Sequence, residues 1–94
     1  MSDATTKQDI VELGYGLAEV KRLRPIAFNW IARPNPHKSL GLVGQEVRGI
    51  INEVVYEDDG QVSISYVGLI PVLINAIKDL DRKIEVLLPA KEGA

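Results

Sequence analysis

Cysteine is absent from the 94 residues. That removes disulfides, thiolate metal sites and cysteine nucleophiles together. Histidine occurs once, as His37, too few for an imidazole metal site. His37 is expected in a surface loop, and neither a metal nor a cofactor is expected. Aromatic residues make up only 5% of the chain, so a core must be built mostly from Ile, Val and Leu. No sign of charge dominates: 11 basic residues stand against 13 acidic ones, for a net charge of −2. The short cluster Lys21, Arg22, Arg24 is no nucleic-acid footprint, and no nucleic-acid partner is expected. No signal peptide is apparent. The longest apolar stretch, residues 66–77, contains Asn75 and is too short to span a bilayer. The chain is therefore expected to be soluble, with no membrane partner.

What remains is ordinary globular composition, 46% hydrophobic and 26% charged. The length fits one domain with a modest core. A chain this small is often marginal alone, and oligomerisation is a usual remedy.

Residues 1–9 are polar and carry Ser2 and Lys7. A short apolar patch, residues 10–13, precedes Gly14 and Gly16. Leu17, Val20 and Leu23 predict a short helix over residues 17–23, which Pro25 ends. Residues 26–31 alternate, with Ile26, Phe28 and Trp30 on one side, which predicts a strand and a core Trp30. Pro34-Asn35-Pro36 is a rigid loop. A short strand over residues 40–43 and a short helix over residues 45–51 follow, the helix turning Val47, Ile50 and Ile51 inward. Residues 54–56 and 62–65 flank Asp58-Asp59-Gly60, a hairpin signal because Gly accepts the positive φ of such turns.

The last element has the strongest pattern. Ile70, Leu73, Ile77, Leu80, Ile84 and Leu87 recur in alternating steps of three and four, as in a coiled-coil seam. Pro71 falls near the helix start and Pro89 marks its end. Such a stripe can pack on its own domain or on partner helices. The charges at Lys78, Asp79, Asp81, Arg82, Lys83 and Glu85 leave a narrow apolar stripe in the second half, suited to a partner helix. Ile and Leu alternating at the seam fit a dimer in the simplest rule. Ile74, Ala76 and Leu88 widen the apolar face, which fits three helices better, so dimer and trimer stay open on pattern alone.

The order of motifs resembles the peptidase S74 family, the C-terminal intramolecular chaperone domains of phage tailspikes, tail fibres and neck appendages. Ser2-Asp3, then Lys7, Gln8, Asp9 and Ile10, matches the family's opening. Leu23-Arg24-Pro25 with Phe28 and Trp30 matches its next segment, and Gly41-Leu42-Val43-Gly44-Gln45-Glu46-Val47 the one after. Glu57-Asp58-Asp59-Gly60 matches its acidic hairpin. Tyr66, Leu69-Ile70-Pro71, Leu73-Ile74, Ala76-Ile77-Lys78 and Leu80 match its terminal helix. Thr5 and Thr6 stand where members often carry Arg, Gly44 replaces the usual Ala, and Asn52 stands where Pro is common.

The resemblance implies an α+β fold: a small helix and β-hairpin part plus a long C-terminal helix forming a homotrimeric coiled-coil bundle. One domain would span residues 1–94, with an α+β part holding the cleavage site at 1–65, the coiled-coil helix at 66–88 and a tail at 89–94. The implied function is a self-cleaving chaperone that trimerises, folds the upstream fibre or spike of the same polypeptide, and releases itself. It would act in the host-cell cytoplasm during phage assembly, while its parent stays in the virion tail.

The implied chemistry is a serine endopeptidase acting on its own chain. A serine hydroxyl needs a base, and a lysine can be one if burial disfavours its ammonium form. By resemblance, Ser2 is the nucleophile and Lys7 the base. The cut then falls at the Met1–Ser2 bond. With one residue before Ser2, this chain is expected to be product-like. Asp3, Gln45 and Glu46 are possible supporting residues. Residues five apart face different ways on a helix or a strand, so Ser2 and Lys7 meet only through a turn or another subunit. The alternative is that Ser2 or Asp3 caps a helix, Lys7 is solvated, and Gln45 and Glu46 tie down a loop. The corresponding functional alternatives are a trimerisation module that never cuts and stays attached, and a small adaptor whose helix docks on another protein.

Overall fold

The structure is a computed structural model that describes residues 2–89. Its core is assembled from one short helix, the turn after it, and one face of a long helix. Helix α2, Gly44–Arg48, begins after extended Val43 and ends at Gly49. Val47 and Ile51 lie four residues apart and so point the same way; each is only 1% exposed. A 3₁₀ turn, Asn52–Val54, adds Val54. The long helix α3, Leu69–Leu87, closes this cluster with Leu69 and Val72, and Ala76 is buried on the same face.

Two antiparallel hairpins flank the core. Strand β1, Ile26–Phe28, pairs with β2, Ser39–Gly41, from Ile26 opposite Gly41 to Phe28 opposite Ser39. Strand β3, Val55–Asp58, pairs with β4, Gln61–Ile64, through the two-residue turn Asp59–Gly60. Both turn residues have positive φ, 54° and 77°, as the right-handed twist of a tight hairpin requires. The Asp-Gly signal thus marks the turn the chain adopts.

Helix α1, Leu17–Val20, packs against α3. It is shorter than the predicted 17–23, because the chain leaves the α-helix for a turn at Lys21 and Arg22. The first predicted strand also stops early, at Phe28. The Asn29 amide there donates to the carbonyls of Asn35 (2.7 Å) and His37 (3.4 Å), which turns the chain out of line. The prediction of a core Trp30 is therefore overturned. Trp30 is 59% exposed and packs edge-on against Phe28, with ring centroids 4.9 Å apart. His37 is exposed, as expected.

Helix α3 is roughly 28 Å long at 1.5 Å per residue. Pro71 is its third residue, where an N–H would find no acceptor within the helix. At the other end the Leu88 N–H reaches the carbonyls of Ile84 and Glu85, and Pro89 follows. The helix splits its apolar residues between two faces. Leu69, Val72 and Ala76 are spent on its own domain. Ile70, Leu73, Ile77, Leu80, Ile84 and Leu87 are not; they are between 45% and 83% exposed. The stripe that could have packed on its own domain does not.

The molecule is accordingly extended. Its radius of gyration is 18.0 Å, against about 12 Å for a compact domain of this length. Its accessible surface is 8058 Å², against about 5,400 Å² for a compact chain of this mass.

Candidate functional site

Asp3 organises the N-terminal arm. Its carboxylate accepts from the Thr5 N–H and the Thr5 hydroxyl, both at 2.8 Å. Its carbonyl accepts from the Thr6 N–H (3.1 Å) and the Thr6 hydroxyl (2.7 Å). Asp3 thereby caps a 3₁₀ turn, Ala4–Thr6. The two bonds from Thr5 hold the Asp3 carboxyl below its ordinary range. Thr5 and Thr6, which stand where the resemblance leads one to look for Arg, supply the hydroxyls that bind Asp3.

Lys7 closes the same turn, its N–H on the Ala4 carbonyl at 3.2 Å. Ser2 and Lys7 therefore stand at opposite ends of one turn, both exposed. Among the described residues no hydrogen bond joins them. The Met1–Ser2 bond lies outside the described residues, because Met1 does.

Beyond Lys7 the chain bends at Asp9, whose φ is 55°, a left-handed conformation that Asp adopts more readily than most residues. Ile10 and Val11 then lie exposed. The arm first meets the rest of the protein at residues 13–17. The Asn75 amide donates to the Leu13 carbonyl (3.0 Å) and the Tyr15 carbonyl (2.9 Å). One helical turn on, the Asp79 carboxylate accepts from the Leu17 N–H at 3.0 Å and pairs with Arg82. Glu19 reaches back to the Gly16 N–H at 2.7 Å. Gly16 is pressed so closely on the Asp79 carboxylate that a Cβ there would collide with it. The Tyr15 hydroxyl donates to Glu53 at 2.7 Å, and that bond to a carboxylate raises the phenol's pKa above its usual value.

Glu46 and Gln45 open α2. Glu46 takes a two-pronged bond from Arg24, Nε to Oε1 at 3.1 Å and a terminal nitrogen to Oε2 at 2.5 Å. The Arg24 bond holds Glu46 below its ordinary carboxylate range. This pair joins the Leu23-Arg24-Pro25 motif to the Gln45-Glu46-Val47 motif. Gln45 is exposed, and among the described residues neither side chain bonds to Lys7. Nearby, the Leu42 N–H donates to the Tyr66 hydroxyl at 3.0 Å. That hydroxyl lies 2.7 Å from where a Cβ on Gly41 would be, so Gly41 leaves it room. At Gly44 a Cβ would collide with Val62.

The roles of Asn75, Asp79, Gly16 and Tyr66 are not evident from sequence patterns alone. A signal was present for two of them. Asn75 and Asp79 are polar, four apart, and on the Val72–Ala76 side of a helix whose other side is apolar. Among the described residues, no group of three or more His, Cys, Asp or Glu could hold a metal ion, and no helix is long and apolar enough to cross a membrane.

The geometry defines a small α+β domain with an exposed serine–lysine arm, hung from a helix whose Ile/Leu stripe is uncovered. The family model described as the chaperone of endosialidase, peptidase S74, matches residues 2–56. The chain belongs to that family. No curated protein and no solved structure matches it.

Proposed function

We propose that this domain is a self-cleaving intramolecular chaperone for an upstream phage fibre or spike, and that it works as a homotrimer. The observation that carries the reading is the double use of α3. One face holds the domain together, while the Ile70–Leu87 stripe stays uncovered. A surface excess well above the roughly 800 Å² per partner of a standard interface fits assembly through that stripe. The number three comes from the family resemblance. Three α3 helices would bring three upstream chains into register, raising their effective concentration for one another. The setting is the host cytoplasm during phage assembly, with the parent protein going to the virion tail.

Cleavage is the second half of the proposal. The Ser2 hydroxyl oxygen attacks the carbonyl carbon of the preceding residue, and its proton passes to Lys7. The C–N bond to Ser2 breaks, and Lys7 returns the proton to the leaving nitrogen. Water then hydrolyses the ester left on Ser2. Attacker and target are neighbours in one chain, so proximity replaces a substrate pocket. Assembly supplies the cover that makes a lysine a base. Once the template has left, the fibre is held by a barrier to unfolding.

A second reading is a trimerisation module that stays attached. The exposure of Ser2 and Lys7, with no bond between them, favours it. One experiment decides. With the native upstream segment restored, the wild type should give two fragments on a denaturing gel, and Ser2→Ala and Lys7→Ala should give none. Cutting in both variants would sink the dyad; an uncut wild type would leave the attached module.

A further inference from the structure

The proposed chemistry needs Ser2 and Lys7 delivered to the same place in every copy, and the arm that carries them has little to hold it. Among the described residues, the hydrogen bonds of residues 2–12 stay within the arm. Everything that fixes the arm's origin lies at residues 13–17; α3 holds that origin by its backbone, and Glu53 holds it by the Tyr15 hydroxyl.

We propose that Asn75 is a positioning residue for self-cleavage, which ties the base of the arm to the assembly helix through its two amide bonds to the Leu13 and Tyr15 carbonyls. The inference rests on the function proposed above and adds how the cutting arm is coupled to the helix.

The geometry suits that task in three ways. The Asn75 amide nitrogen donates to two carbonyls, at 3.0 and 2.9 Å, that lie two residues apart. That fixes the direction of the segment as well as its place. Asp79, one turn along the same face, takes the Leu17 N–H at 3.0 Å, so α3 grips the segment at two points in line. At Gly16 between them a Cβ would meet the Asp79 carboxylate, so the segment lies close on the helix. Asn75 also sits between Leu73 and Ile77 in sequence, yet faces the domain while those two face outward. One stretch of helix thus carries the uncovered stripe on one side and the arm's anchor on the other.

The reach agrees. Lys7 is six residues from Leu13, at most about 20 Å of extended chain. Packed helices lie about 8–10 Å apart. An arm anchored at the height of Asn75 can therefore reach a neighbouring copy, and the anchor limits the span of the bundle over which Ser2 and Lys7 can fall.

The test uses the domain with its native upstream segment, following the rate of fragment appearance per assembled protein, with mass measured by light scattering well below the melting temperature. Asn75→Asp keeps the size but aims a carboxylate at two carbonyl oxygens. Asn75→Ala removes the donor without adding charge, and serves if Asn75→Asp fails to assemble. Asn75→Gln keeps the amide one methylene further out. The inference expects cleavage at least tenfold slower in Asn75→Asp and Asn75→Ala while the assembled mass is unchanged, with part of the rate recovered in Asn75→Gln. Wild-type rates in both Asn75→Asp and Asn75→Ala would overturn it and leave the proposed function standing. Slow cleavage with no recovery in Asn75→Gln would also overturn it, because packing rather than the amide would then be at work. An uncut wild type would overturn the proposed function and this inference together.

Discussion

At residue 16 a Cβ would meet the end of the Asp79 side chain. Gly16 lies against the Asp79 carboxylate, which in turn accepts the Leu17 N–H and pairs with Arg82. A methyl group there would push the carboxylate away and loosen that bond. Gly16→Ala is expected to cost about 1–3 kcal/mol, the usual scale for overpacking. In an Asp79→Ala background most of that extra cost should vanish, since the obstacle is gone. A double-mutant cycle by denaturant unfolding measures the coupling, and purely additive effects would place the strain elsewhere. Arg24 and Glu46 are a contrasting pair. Both are largely exposed, so their contribution to stability is small. They join the segment before β1 to the start of α2.

At the scale of elements, α3 divides its labour by face, and the two faces can be tested apart. Ile77→Lys with Leu80→Lys alters only exposed positions. The double variant should run as a single chain by light scattering. Val72→Ala, on the buried face, should instead cost the domain about 2 kcal/mol through lost methyls and the cavity they leave. Persistent assembly of the double lysine variant would move the interface off this stripe. These faces also show how far the sequence could be read. The Ile/Leu spacing located α3, and Asp59-Gly60 located its hairpin, because each is a local rule of periodicity or backbone conformation. Val47 and Ile51 were placed inward by the same kind of rule. Alternation puts Trp30 in the core because it cannot see the Asn29 amide bonding across the loop where the strand stops. At the site, Ser2 and Lys7 were marked by resemblance alone. Asn75 and Asp79 act on backbone about 60 residues away, and no local pattern encodes a partner that distant.

For the whole molecule, size and surface point the same way. Among the described residues the buried hydrophobic core is Val47, Ile51, Val54, Leu69, Val72 and Ala76, a small core for a chain with an exposed stripe along its longest helix. Association binds the folded form and not the unfolded one, so it should add stability by mass action. The melting temperature is expected to rise as the protein is concentrated from the low to the high micromolar range. It should stop doing so in the double lysine variant. A constant melting temperature in the wild type would mean that the single chain folds without help. The anchor at Asn75 has one more consequence, which concerns time. Tyr15 is synthesised 60 residues before the amide that holds it. At about 5–20 residues per second, the arm waits about 3–12 s for its anchor to be made. A chain interrupted before α3 therefore never acquires a fixed arm. On the proposed reading, the cut doubles as a completeness check, available only to a polypeptide that has been translated as far as α3.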